Sequence, residues 1–233
     1  MKTIFYLLLF FTLETFGQIK TGSVTYNLTI ADDIEMEKGM MADYYKDAKK
    51  NAKLVSYTLN FDENQMIFST NPSLKIDGQG DVSFAEAFSG VEGKYYREKK
   101  SNTILNEIDG ANLGHLIVKK EFKLKWALTK ETKMIDQYLC YKATSELIIK
   151  NTAGQFKREI IAWYCPKISI SFGPKGYGDL PGLILELQEK NAVFGATKIT
   201  LNSKDVKITK PSKGKIVSEE ELNVIIEKST PKG

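Results

Sequence analysis

Histidine, cysteine and arginine are scarce in this chain of 233 residues, and each scarcity removes a class of chemistry. The single histidine, His115, lies between Gly114 and Leu116 with no nucleophile motif near it, so it reads as a loop residue and no Ser-His or Cys-His site is indicated. One histidine and two cysteines are too few ligands for a zinc or copper centre. Only Arg97 and Arg158 are arginines; the other basic residues are lysines. Arginine is the side chain that contacts phosphates and bases through two parallel hydrogen bonds, so a lysine-dominated surface argues against a nucleic-acid partner. No Gly-Lys-Ser/Thr follows the glycines at 173, 176 and 178, which excludes a phosphate loop. Asp77-Gly78-Gln79-Gly80-Asp81 only faintly echoes a calcium loop. Nothing in the sequence asks for a metal or a cofactor.

Long apolar runs are also missing, with one exception at the start. Met1-Lys2-Thr3 leads into an almost wholly apolar stretch from Ile4 to Leu13, ending in Thr15-Phe16-Gly17. A charged start, a short apolar region and a small residue have the form of a signal peptide. The run is shorter than the roughly 20 residues that span a bilayer. Residues 1–17 are therefore expected to be removed after Gly17, leaving residues 18–233 as one exported domain, periplasmic or secreted. No cysteine stands at the cleavage site to take a lipid anchor. The net charge of +4 fits a solvated exterior without a transmembrane segment in the mature chain.

What the chain does have is alternation. Ser23 to Ile30 alternates apolar and polar residues, the pattern of a half-buried strand. From Asp33 the spacing of Ile34, Met41, Tyr45, Ala48 and Ala52 predicts a helix running through Gly39. Val55, Tyr57, Leu59 and Phe61 share one face, and Met66 and Phe68 return after the turn at Asp62-Glu63-Asn64. Phe84 to Gly90 suggests a short helical turn, and Tyr95-Tyr96-Arg97 and Ile104-Leu105 suggest a hairpin. Alternation recurs through Phe122, Leu124, Trp126 and Leu128, then in Met134 to Ile149 and Phe156 to Cys165, and again at Ile168, Ile170 and Phe172. Leu183, Leu185 and Leu187 would face one way, with Thr197, Ile199 and Leu201 answering across a turn near Lys190-Asn191. Ser218-Glu219-Glu220-Glu221 has the spacing of a capping box that opens a short C-terminal helix. About ten strands joined by short turns predict a mostly β, α+β single domain. We expect a curved antiparallel sheet or open half-barrel, with a helix after the first strand.

Cys140 and Cys165 flank the turn residues Asn151-Thr152-Ala153-Gly154. A four-residue loop there would set the two sulfurs directly opposite each other, a disulfide an oxidising compartment would preserve. A slip of one residue would instead send them to opposite faces. The same register sets Glu146 against Glu159, which hints at a bulge.

The most concentrated turn chemistry is Gly173-Pro174-Lys175-Gly176-Tyr177-Gly178-Asp179-Leu180-Pro181-Gly182, leading into Leu183-Ile184-Leu185. Leu180-Pro181-Gly182-Leu183-Ile184 resembles the motif that names the GLPGLI family of exported bacterial proteins of unknown function. Trp163-Tyr164, Ile168, Gly173-Pro174, Tyr138, Cys140 and Ala143 resemble the family's approach to that motif. The resemblance is specific over residues 138–203. Asp179 stands where the motif has its first glycine. The resemblance implies no activity, cofactor or catalytic residue, and it implies a setting beside outer-membrane, TonB-dependent transport systems.

Two readings of the motif stand side by side. In one it is a rigid turn feeding a central strand, with Gly182 needed for close packing. In the other, Tyr177, Gly178, Asp179, Leu180, Pro181, Gly182, Leu183 and Ile184 carry an exposed loop that docks a ligand or partner. Aromatics at strand positions, among them Tyr26, Tyr57, Phe61, Trp126 and Trp163, favour a non-enzymatic binding or accessory module for an apolar ligand or an envelope partner. The alternative is a carboxylate-dependent hydrolase of the cell envelope using Asp179 or Glu186.

Overall fold

The computed structural model describes residues 19–72, 82–110, 114–121, 123–151 and 154–229. Residues 1–18, with the expected signal peptide at 1–17, the loop at Asp77–Asp81, Phe122 and the turn residues Thr152 and Ala153 lie outside them. The strands are β1 (Thr21–Ile30), β2 (Ser56–Asp62), β3 (Gln65–Thr70), β4 (Lys94–Glu98), β5 (Thr103–Gly110) and β6 (Gly114–Glu121). They continue with β7 (Ala127–Ile135), β8 (Tyr138–Asn151), β9 (Gly154–Cys165), β10 (Leu183–Glu189), β11 (Ala192–Leu201) and β12 (Lys215–Ser218). The helices are α1 (Ile34–Lys38), α2 (Ala42–Asn51), α3 (Ser83–Ser89) and α4 (Glu219–Ser229).

All twelve strands form one open sheet in the order β12-β6-β5-β4-β3-β2-β1-β11-β10-β9-β8-β7. The chain starts in the middle, and from β1 to β6 each strand pairs antiparallel with the one before it, moving outward. It then crosses to the far edge and walks back from β7 to β11, which pairs antiparallel with β1. This is the β-rich single domain the alternation predicts, an open sheet and not a closed barrel.

The period-two pattern of β1 is realised residue by residue: Val24, Tyr26, Leu28 and Ile30 are buried while their neighbours are partly solvated. Their face meets Tyr57, Leu59 and Phe61 of β2 and Met66 and Phe68 of β3 in one core. Aromatic rings dominate it. Tyr57 stacks on Phe68 with centroids 5.4 Å apart, and Phe194 meets Tyr57 edge-on at 5.2 Å. Helices α2 and α3 cover this face, where Tyr45 packs edge-on against Phe88 at 5.6 Å.

Several local expectations are corrected. The helix expected through Gly39 is broken there into α1 and α2, because Gly39 adopts an extended backbone at the end of α1. Asp33 caps α1, its carboxylate accepting from the Glu35 and Met36 backbone N–H groups. The segment from Met134 onward is divided at Asp136-Gln137, where Asp136 has φ 51° and turns β7 back on β8. Residues 123–126 form no strand, and β7 begins only at Ala127. Ile168 to Phe172 make only an isolated bridge, Phe172 to Gly178, and their carbonyls receive the Leu183 and Ile184 N–H groups. A register shift between Ile184 and Glu186 breaks the expected alternation, so Leu183, Ile184, Leu185 and Leu187 are all buried. The sheet is not wholly antiparallel either. β12 pairs parallel with β6, and its four residues carry too little pattern to stand out among polar neighbours.

Two other details follow the sequence closely. Ser218 accepts the Glu221 N–H at 3.1 Å while Glu221 accepts the Ser218 N–H at 2.8 Å, completing the capping box of α4. β8 and β9 pair in the register that sets Tyr141 opposite Tyr164, and no bulge intervenes although Glu146 faces Glu159. Lys157 stands beside that pair and takes a Glu146 oxygen at 2.8 Å, which relieves the like-charge contact.

Candidate functional site

The Gly-Pro stretch folds back over the buried face of the sheet, against β4 and β5. Arg97, on β4 and 1% exposed, holds it there. Its Nη2 donates to both Asp179 oxygens at 2.8 and 2.6 Å, and its Nη1 donates to the Gly176 carbonyl at 3.0 Å. From the other side the Trp126 indole Nε1 donates to the Gly178 carbonyl at 2.8 Å. Asp179 has φ 66°, a left-handed angle that glycine adopts freely and aspartate tolerates. That explains why a glycine suits this position, and the aspartate adds an ion pair that glycine lacks. At Gly182 a Cβ would lie 2.2 Å from the Cys165 carbonyl oxygen, so only glycine lets the chain pass β9 this closely.

The motif residues are therefore mostly interior. Tyr177, Gly178, Leu180, Gly182, Leu183 and Ile184 are buried, and only Asp179 and Pro181 reach solvent. Glu186 pairs with Lys133 at 2.6 Å, and Lys133 also sits 4.4 Å from the centre of the Trp163 ring. His115 is exposed beside Asp109.

Of the motif, Tyr177 alone opens onto a cleft of about 560 Å³. The cleft lies between two arms of the curved sheet, β4–β6 on one side and β8–β10 on the other, under the end of α3. Tyr95, Ile104, Leu147 and Phe88 supply apolar wall. Its charged floor is Glu189, the last residue of β10 and 7% exposed. Glu189 accepts from Arg158 Nη1 at 2.5 Å and from Lys175 Nζ at 2.6 Å. Burial alone would push the Glu189 carboxyl up, but the Lys175 ammonium and the Arg158 guanidinium outweigh it and hold it below the usual range. Burial, reinforced by the Glu189 charge, raises the Tyr177 hydroxyl well above its ordinary value and keeps it neutral. Neither Asp179 nor Glu186 lines this cleft.

Arg158, Lys175, Glu189 and Tyr95 were not singled out by the sequence pattern. One signal was available: the chain has two arginines, and both are committed to carboxylates, Arg97 to Asp179 and Arg158 to Glu189. The two cysteines are buried thiols in sulfur-to-sulfur hydrogen-bond contact. The adjacent Cys140 thiol lowers the Cys165 thiol against the opposing effect of burial, and the Cys140 S–H donates to the Tyr138 carbonyl at 3.6 Å. Among the described residues no cluster of three or more metal-ligating side chains occurs, and no helix is long and apolar enough to cross a membrane.

Fold and cleft together define an open-sheet, β-rich domain with a mixed apolar and charged cleft on its concave side. Residues 126–186 match the family described as "Protein of unknown function (Porph_ging)", a stretch that includes β7 to β9 and the Gly-Pro segment. Among solved structures the chain is similar to PNGF-II in two crystal forms. The C2 form gives a TM-score of 0.55 at 14% identity, covering 90% of this chain and 33% of that one. The P21 form gives 0.54 at 14% identity, covering 90% and 34%. The chain thus spans about a third of the length of those structures, and at this identity the likeness is one of fold. No curated protein matches the sequence.

Proposed function

We propose that the protein is an exported, non-enzymatic binding module of the cell envelope, of the GLPGLI type its Leu180–Ile184 motif resembles. On this reading residues 1–17 are removed and residues 18–233 act in the periplasm or outside the cell. An outer-membrane transport system is the partner that the resemblance implies. The observation that carries the binding role is the cleft: about 560 Å³, within the range of small-molecule sites, with aromatic walls and a few converging polar groups. The motif supports it indirectly, since Arg97 and Trp126 fix the segment that delivers Lys175 and Tyr177 to the floor. The oxidising compartment would also convert the contacting Cys140 and Cys165 thiols to a disulfide.

The hydrolase reading through Asp179 and Glu186 draws no support from the geometry, because each carboxylate is engaged in its own ion pair away from the cleft.

Native mass spectrometry of exported protein tests the binding role. A co-purifying small molecule is expected on the native chain and should be lost from Ala87→Trp, which fills the cleft from α3. An identical ligand-free mass for both proteins, with no partner co-purifying, would overturn the proposal.

A further inference from the structure

We infer that the cleft takes a ligand with one anionic group, a carboxylate or a phosphate, on an apolar body, and that Arg158 and Lys175 form the seat of the anion. This rests on the cleft being a binding site and adds what it binds.

Charge at the floor of the cleft does not balance. Two cations converge on one carboxylate, Arg158 at 2.5 Å and Lys175 at 2.6 Å from Glu189. Lys175 and Glu189, 10% and 7% exposed, cancel as a buried pair, and Arg158, 35% exposed, adds the excess positive charge at the cleft surface. That excess charge is only partly solvated, and an incoming anion would neutralise it. Tyr177 does not supply the missing charge, because its hydroxyl stays protonated beside Glu189. The rim carboxylates are already engaged: Glu219 with Lys120 at 3.4 Å and Glu121 with Lys123 at 3.9 Å.

Donors remain available. Among the described residues Arg158 gives one hydrogen bond, through Nη1, which leaves its Nη2 and Nε groups; its side chain is 35% exposed at the cleft. A guanidinium with a free edge suits a planar carboxylate or a phosphate. Lys175 is delivered by a left-handed backbone, φ 55°, a conformation with a cost for a residue other than glycine or asparagine. That geometry brings its Nζ to within 3.6 Å of where a Cβ on Gly90 would stand, at the end of α3 above the floor. The amine thus bridges the floor and the roof of the cleft. Tyr95, Ile104 and Leu147 line the same cleft as apolar wall. A head-and-body ligand matches that combination of surfaces.

The probes are decanoate, decyl phosphate and decanol, titrated calorimetrically into the full mature chain below their micellar or solubility limits. Both anions are expected to bind, with decanol about tenfold weaker or more, as suits a charge-assisted hydrogen bond. Arg158→Met should lower anion affinity about tenfold and leave decanol unchanged. Glu189→Gln, which removes the internal competitor, should raise anion affinity. Arg158→Met sits on a half-exposed strand position, so it keeps the test open if Glu189→Gln fails to fold. Preference for one anion over the other identifies the head group. Equal binding of decanol, or anion binding unaffected by Arg158→Met, would overturn the anionic seat while leaving the cleft as an apolar site. Failure of all three probes overturns the inference, and the Ala87→Trp comparison then judges the binding role separately.

Discussion

Asp179 shows how one residue can be mistaken for a catalytic group. A carboxylate in a glycine-rich turn is an attractive acid or base, yet here both of its oxygens accept from a fully buried arginine. Removing it would take from the buried Arg97 guanidinium the carboxylate it is paired with, which is worse than never having had the pair. Asp179→Ala should therefore lower stability by about 2–3 kcal/mol, less than for a fully buried pair because the aspartate side is half exposed. Asp179→Asn should lose less, since asparagine tolerates the same left-handed backbone. The urea midpoint with an unchanged slope measures both.

Glu189 makes a pH-dependent prediction. Its folded-state carboxyl lies below its unfolded value, so its contribution is present at neutral pH and is lost as pH falls through the folded value. The melting-temperature gap between the native chain and Glu189→Gln should be wide at about pH 7 and close progressively below about pH 4.3, where a free glutamate titrates. A gap that widens on acidification would show that Lys175 and Arg158 do not stabilise the charged form.

Among elements, the β8–β9 hairpin carries the most consequential register. The pairing that sets Tyr141 opposite Tyr164 also sets Cys140 against Cys165, and both thiols are shielded from solvent. Oxidation should join them with a loss of two hydrogens by intact mass and raise stability by about 3 kcal/mol, the scale for closing a loop of this general size. The bond would clamp the start of β8 to the end of β9, the point where Gly182 passes the Cys165 carbonyl. Two thiols in exported protein that alkylate freely without denaturant would show that the hairpin opens. The β10 bulge is the second element with consequences: it buries Ile184 and Leu185 together and leaves Tyr26 to donate to the Ile184 carbonyl at 2.6 Å.

For the whole molecule the sheet order sets the folding problem. The first strand lies in the centre and waits for β11, about 170 residues later, to complete its second edge, as in the pairing of Tyr26 with Ala196. Closing such distant contacts is slow because the chain entropy is lost before the contacts reward it. Refolding followed by the fluorescence of Trp126 and Trp163 should fall in the millisecond-to-second range or slower. Trp126 reports late docking of the Gly-Pro stretch, since its indole bonds Gly178. A microsecond phase with full amplitude would mean that local hairpins alone supply the signal. The same topology builds the cleft, because only a sheet that curls brings β4–β6 to face β8–β10.

Strand faces and hairpins were legible because burial on one side of a strand imposes a two-residue period that a reader can count. The alternation of β1 and β2, the turns at Asp62–Asn64 and Lys190-Asn191, the β8–β9 register and the Ser218–Glu221 cap are all local relations of this kind. The tightness of the motif turn was legible too, because Gly182 and its neighbours announce close backbone approach. Other features were settled by partners far away in sequence. The break at Gly39, the loss of strand at Ile168–Phe172 and the parallel docking of β12 on β6 depend on what packs against them. So does the site. Arg158, Lys175 and Glu189 lie on separate segments whose spacing carries no signal, and Tyr95 belongs to the opposite arm. Ion pairs and cavities are relations between distant residues, and only the curvature of the closed core brings those residues together.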